Sequence, residues 1–284
     1  MRKFVVFLLL AAACSRESNR APVVVSSKNF TESVILGELL AQQLEQAGCT
    51  VDRRLNMGGT MLVHNAMTTG AVDAYVEYSG TALTAILHKP TSQDRAEVDR
   101  VVKGEYSRLQ LRYGPRLGFN NTFAMIVRKQ DAQQHGLTKI SDLSRVASTF
   151  RPGFGYEFVE RPDGWPGLLT AYQLQFKNAP ATMDLGLTYK ALAAGQVDLI
   201  AGNSTDGLID SLGLVVLEDD RRYFPPYDAA VVYRRAIDEK CRGASRSLEA
   251  LGDRIDDAAM RRMNYAVDGE KKDVAAVVRQ FLGR

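Results

Sequence analysis

One nine-residue stretch, Asp73-Ala-Tyr-Val-Glu-Tyr-Ser-Gly-Thr81, returns later in the chain in altered form as Asp198-Leu-Ile-Ala-Gly-Asn-Ser-Thr-Asp206. Each copy follows an Ala/Met-rich helical run, a glycine (Gly70, Gly195), one further residue and a Val-Asp pair. Aligned on these positions, Tyr78 falls opposite Asn203, Ser79 opposite Ser204 and Thr81 opposite Asp206. A chain that writes helix, glycine stop, short strand and polar loop twice predicts two α/β lobes, each presenting one such loop. Ligands of open α/β sheets sit beyond the carboxyl ends of the strands, so the two loops are expected to face a shared crevice.

The chain opens with Arg2-Lys3 and an unbroken apolar run from Phe4 to Ala13. That run is too short to span a bilayer and reads as an export signal over residues 1–14. The small residues Ala11-Ala12-Ala13 directly before Cys14 also resemble a bacterial lipoprotein cleavage site, which would place lipid on Cys14, with residues 15–21 as a polar tether. Lys and Arg number 36 against 33 Asp and Glu, and loss of Arg2 and Lys3 with the signal lowers the formal charge from +3 to +1. So even a balance gives no support to nucleic-acid binding. The remaining chain, roughly 270 residues, suffices for two domains with cores of their own. It has no later apolar run of membrane-spanning length, so the membrane is expected only through a lipid anchor. Cys49 and Cys241 can form one disulfide in an oxidising compartment or remain two buried thiols. No Cys/His spacing points to a metal, and no cofactor is expected.

Val23-Val24-Val25 suits a buried parallel strand, followed by a polar loop in which Asn29 or Thr31 can cap a helix carrying Leu36, Leu39, Leu40 and Leu44. Glu32 stands at the positive end of that helix. The turn at Gly58-Gly59-Thr60 lacks the following Lys-Ser/Thr of a phosphate loop. Leu117 to Val127 reads as a strand interrupted by Asn120-Asn121-Thr122 and predicts a crossover between lobes. Pro225-Pro226, just before a β-rich run, predicts a second. Residues 245–282 read as mostly helical. Asp73 and Asp198 are assigned to turns or helix termini, and Asp206 to a cap for a helix starting near Gly207.

Several ordered stretches carry a more specific likeness. Ser27-Lys-Asn-Phe-Thr-Glu32, Asn56-Met-Gly-Gly-Thr60, the segment from Asp73 to Leu83, Phe119-Asn-Asn-Thr122, Arg161-Pro-Asp-Gly164, Ser204-Thr-Asp-Gly207 and Pro225-Pro-Tyr-Asp228 resemble the glycine betaine/choline osmoprotectant-binding proteins of ABC importers. The resemblance implies an α/β, two-lobed, class II-like periplasmic binding fold with two crossover strands and the ligand in the cleft. Lobe 1 would comprise residues 22–119 and 226–284, lobe 2 residues 120–225.

It also implies roles. A quaternary ammonium group has no N–H to donate and is held by aromatic faces, each worth roughly 0.5–2 kcal/mol. Tyr78 and Tyr227 stand at two such positions and Phe123 at a third, with Asn121 beside it. Asn203 occupies the place of a fourth wall and departs from the pattern. A different ligand would fit that change, or an aromatic borrowed from Phe154, Tyr156 or Trp165. A ligand carboxylate would meet Lys28, Thr81 and Arg161, the last able to grip it bidentately. By the same resemblance the lobes close over the ligand for recognition by a membrane permease. The expectation is therefore an exported, monomeric transport protein for a quaternary ammonium solute, or for another small zwitterion or amino acid, with no catalytic residues. An exported hydrolase is disfavoured: Ser26-Ser27-Lys28 lacks the Ser-x-x-Lys spacing and no Gly-x-Ser-x-Gly elbow exists.

Overall fold

Val23–Val25 opens β1 (Val23–Lys28), every residue of which is buried, as befits a parallel strand covered on both faces. In the computed structural model, which describes residues 21–284, β1 lies inside one of two five-stranded sheets. The signal, lipidation and most tether assignments fall outside the described residues. β2 (Val51–Gly58) and β3 (Ala74–Tyr78) pair in parallel with β1 on its two sides. β4 (Leu111–Asn120) completes the first run, and the chain then crosses at Asn121-Thr122 into β5 (Phe123–Arg128) of the other sheet. That sheet adds β6 (Pro152–Gly155), β7 (Ala181–Met183), β8 (Leu199–Asn203) and β9 (Leu214–Leu217) before β10 (Asp228–Arg234) returns to the first.

The two sheets share one plan. Their orders are β2-β1-β3-β10-β4 and β7-β6-β8-β5-β9. In each, the strand arriving by crossover lies antiparallel to the repeat's own strand: β10 beside β3, with Ala229 opposite Tyr78, and β5 beside β8, with Phe123 opposite Asn203. The repeated Asp explains the rest. Asp73 N–H donates to Val24 O (2.8 Å) while its carboxylate accepts Val24 N–H (2.8 Å); Asp198 does the same with Arg151 (2.8 and 3.0 Å). These aspartates staple neighbouring strands together rather than serving turns or helix termini. Gly70 and Gly195, at φ +84° and +68°, supply the left-handed turn that brings each helix back to its strand.

The helix Thr31–Gln46 packs its Leu36, Leu39, Leu40 and Leu44 into the first lobe's core. It lies so close that a Cβ on Gly37 would meet Leu55 at 2.7 Å and Ser26 O at 3.1 Å. Neither Asn29 nor Thr31 caps it: Phe30 is the N-cap, Ser33 Oγ accepts the Lys28 N–H, and Thr31 donates to Asp268. Asp206 likewise caps nothing. It folds back to accept the N–H of Asn203 and the hydroxyl of Tyr189. Cys49 and Cys241 are joined in a disulfide with Cα atoms 5.5 Å apart across 192 residues of sequence, so the two-thiol alternative falls away. Closing so long a loop stabilises chiefly by restricting the unfolded chain. Among the described residues no helix is long and apolar enough to cross a membrane.

Candidate ligand-binding cleft

The carboxyl ends of β1, β3, β6 and β8 converge on a cavity of about 250 Å³ between the sheets. Lys28, Tyr78, Thr81, Asn121, Phe123, Arg161, Asn203 and Tyr227 all line it. The topology accounts for the gathering. Lys28 ends β1, Tyr78 ends β3, Asn203 ends β8, and Asn121, Phe123 and Tyr227 sit on the two crossings. The crossings are bonded to each other, Asn121 N–H to Tyr227 O (3.1 Å) and Tyr227 N–H to Asn120 Oδ1 (2.7 Å).

One wall is Tyr78 with Phe30, ring centroids 6.2 Å apart. The other is Phe123 packed edge-on against Tyr227 (5.4 Å) and Phe158 (4.8 Å). Lys28 Nζ stands 4.9 Å from the Tyr78 centroid, and the Arg161 guanidinium 5.2 Å from that of Phe123. Both cations are already matched by buried acids. Lys28 binds Glu77 (2.6 Å); Arg161 grips Asp163 with Nε (2.9 Å) and Nη2 (2.6 Å) and donates from Nη1 to Thr81 (3.0 Å). Asp163 also accepts Tyr227 OH (2.6 Å) and Thr84 OH (2.8 Å). Burial works to raise the Asp163 carboxyl, but its Arg161 partner prevails and holds it below the ordinary range. Glu157 and Asp184 line the cavity too, so four carboxylates, counting Glu77 and Asp163, surround two cations. The field therefore favours a cationic group.

Glu32 stands in the first turn of its helix as expected, and it has a second role that the sequence did not show. It is buried and takes hydrogen bonds from Tyr78 OH (2.7 Å), Asn121 Nδ2 (2.7 Å), Thr205 OH (2.5 Å) and Asn264 Nδ2 (2.9 Å). Desolvation nevertheless pushes its carboxyl up, against all four bonds, because none of the donors carries charge. The same burial lifts the phenols of Tyr78 and Tyr227 well above their ordinary range, keeping both neutral donors.

Glu157 was also missed. Its carboxylate accepts the N–H (2.5 Å) and hydroxyl (3.1 Å) of Thr60 at the start of the helix Thr60–Thr69, clasping the second lobe to the first. Of the three aromatics considered as substitutes beside Asn203, only Tyr156 lines the cleft. Phe154 and Trp165 are buried against one another, centroids 4.9 Å apart, and it is Phe158 that reaches the cavity.

The family described as the substrate-binding domain of the ABC-type glycine betaine transport system (OpuAC) matches residues 21–284. The ergothioneine transport permease/ergothioneine binding protein EgtU of Helicobacter pylori is 36% identical over 98% of this chain, which spans about half (51%) of that longer protein. The carnitine transport binding protein OpuCC of Listeria monocytogenes is 32% identical over 93% of this chain and 87% of its own length. A crystal structure of a glycine betaine/carnitine/choline ABC transporter superposes with a TM-score of 0.74 at 29% identity, covering 92% of this chain and 97% of the other.

Proposed function

This chain belongs to the family of substrate-binding domains of ABC-type glycine betaine transport systems, and from that premise we propose that its cleft captures a quaternary ammonium solute. The observation that carries the reading is the pair of aromatic walls, Tyr78 with Phe30 and Phe123 with Tyr227, facing a cavity that Glu157 and Asp184 also line. Such faces attract a trimethylammonium group without needing a hydrogen bond from it. Lys28, Thr81 and Arg161 orient any carboxylate at the ligand's other end, sharing their charge with Glu77 and Asp163. Proteins of this family serve importers as exported binding components. Residues 22–119 with 226–284 form the lobe that holds Tyr78, residues 120–225 the lobe that holds Arg161, and the Glu157–Thr60 clasp is part of the closed form offered to the permease. Cys14 carries the lipid that tethers an otherwise monomeric protein.

A second ligand reading has its own support. Ergothioneine, named for the Helicobacter pylori relative, is itself a trimethylammonium betaine bearing a heterocycle. At Asn203 this cleft shares its wall with a further cavity of about 560 Å³ that could receive such an extension. Isothermal titration of residues 15–284 with glycine betaine, choline, carnitine and ergothioneine tests both. Binding of at least one of them that weakens strongly in Tyr78→Ala is the expected outcome. Silence toward all four in a protein that melts cooperatively would show that the fold serves another solute.

A further inference from the structure

The loop at residues 204–207, which leaves the strand of the second repeat, is seated in the lobe that holds Tyr78. Thr205 is wholly buried, its hydroxyl donating to Glu32 Oε2 (2.5 Å) and its carbonyl oxygen accepting Asn264 Nδ2 (2.9 Å). Arg261 donates to Ser204 O (3.4 Å), and a Cβ on Gly207 would meet the Tyr265 backbone at 2.7 Å. Glu32 belongs to the helix Thr31–Gln46 and the other three to the helix Asp257–Asp268, so the socket is built from both ends of the chain. The Glu32 carboxylate divides its oxygens between two tasks. Oε2 holds Thr205 and Asn264, while Oε1 holds Tyr78 OH and Asn121 Nδ2, each at 2.7 Å. Neither Glu32 nor Thr205 lines the cavity between the sheets, so any effect of theirs on a bound solute passes through side chains that do, Tyr78 and Asn121.

We infer that Glu32 is a positioning residue that couples the Tyr78 wall to closure of the lobes, and that Thr205 is the contact through which the second lobe engages it. This rests on the reading of a cleft that closes over a trimethylammonium solute, and adds a pair outside the cleft on which retention of that solute depends. All four donors to Glu32 are uncharged, so the buried carboxylate has hydrogen bonds and no counter-ion in place of water. With the second lobe seated, water cannot replace a missing hydroxyl; with the lobes apart, it can. Loss of the Thr205 hydroxyl therefore penalises the closed form alone, and with it the hold on Tyr78. A socket that stayed filled in open and closed forms alike would behave differently: the same loss would fall on both and leave solute exchange unchanged.

Thr205→Val keeps the shape and removes the hydroxyl; Thr205→Ser keeps the hydroxyl. Stopped-flow mixing of residues 15–284 with glycine betaine, choline, carnitine and ergothioneine reads association and dissociation separately. For each compound that binds the wild type, Thr205→Val should release it about tenfold faster, the effect of one hydrogen bond, with association changed by less than about twofold. Thr205→Ser, carrying the same donor, should stay within about twofold of the wild-type rate. Tyr78→Phe keeps the ring that faces the cation and should also speed release; combined with Thr205→Val, the two effects should depart from a simple product, because both act on one carboxylate. Release unchanged in Thr205→Val, no rescue by Thr205→Ser, or effects that simply multiply each overturns the inference while leaving the quaternary ammonium reading intact. Failure of all four compounds to bind the folded wild type overturns both. Should Thr205→Val not fold, Asn264→Ala, which frees the Thr205 carbonyl from its socket, decides the matter by the same release rate.

Discussion

The two repeats, residues 73–81 and 198–206, build the same scaffold and different walls. Both aspartates staple adjacent strands with the same pair of bonds. Both serines latch a crossing: Ser79 Oγ donates to Pro226 O (2.8 Å) and accepts Asp228 N–H (2.9 Å), while Ser204 Oγ donates to Asn120 O (3.3 Å) and accepts Thr122 N–H (3.2 Å). At the positions facing the ligand the likeness stops. Tyr78 is locked by Glu32, whereas the Asn203 side chain at the matching position makes no hydrogen bond among the described residues, and only its backbone is held, by Asp206 and by pairing with Phe123. What repeats is what the sheet needs to meet its crossing strand; what differs is what the cleft needs in order to choose a ligand.

The scaffold half of this comparison breaks most visibly through the aspartates. Asp73→Ala removes a buried carboxylate from Val24 N–H and from Lys240 (2.6 Å), and should lower stability by about 3 kcal/mol. Asp198→Ala should cost less, about 2 kcal/mol, because Arg151 is half exposed and can return to water, and Arg128 keeps Asp131 and two backbone carbonyls as partners. Denaturant midpoints compare them, and equal losses would mean that solvation of the partner does not matter.

The ligand half is tested by Tyr78→Ala, which removes an aromatic face and should weaken trimethylammonium binding about thirtyfold, near 2 kcal/mol. Asn203→Ala should change it by less than about threefold, since a polar amide offers the cation little. A comparable loss at both positions would erase the distinction between the walls.

The parts of this arrangement visible in the sequence are those fixed by neighbours along the chain. Val23–Val25, the Gly70 and Gly195 stops and the Pro225-Pro226 break each declare a local conformation, so the strands, the crossings and the residues at their ends could be named in advance. Edge strands of three or four residues, β7 and β9, carry too short a pattern to be read. The hydrogen bonds of Glu32 could not be read because its partners come from Tyr78, Asn121, Thr205 and Asn264, positions that only the finished fold assembles. The Cys49–Cys241 bond stayed one of two open alternatives for the same reason, since only the fold brings the two residues together. Asp163 was in plain sight two residues from Arg161, but a side chain's burial, which turns a surface pair into the anchor of a cleft wall, is not a local property.

Making the repeats alike should move affinities less. Asn203→Tyr would restore an aromatic opposite Tyr78 and narrow the way into the further cavity. Small donor-free betaines should then bind a few-fold tighter, roughly 1 kcal/mol, and ligands with bulky extensions should bind weaker. Competition titrations with glycine betaine and ergothioneine read both signs at once. If both ligands move together, Asn203 tunes overall affinity rather than ligand size.

The repeats also separate by pH. Asp198, held by Arg151 and Arg128 against the opposing pull of burial, is lowered to about 2 from 3.8. Its contribution to stability is complete above about pH 4 and fades as pH falls toward 2. Asp206, opposite Thr81 in the repeat, is raised by desolvation from 3.8 to about 7, with its bonds from Tyr189 and Asn203 opposing the shift. The sign is reversed: between pH 4 and 7 the unfolded chain has released this proton and the folded one has not. The wild type therefore loses stability as pH rises through that window. Asp206→Asn keeps an acceptor for Tyr189 OH and Asn203 N–H but has no proton to lose. Its melting temperature relative to wild type should climb by a few degrees from pH 4 to 7 and then level. A difference that stays flat with pH would mean that Asp206 ionises as freely in the folded protein as in the unfolded chain, and that its bonds to Tyr189 and Asn203 serve a charged carboxylate.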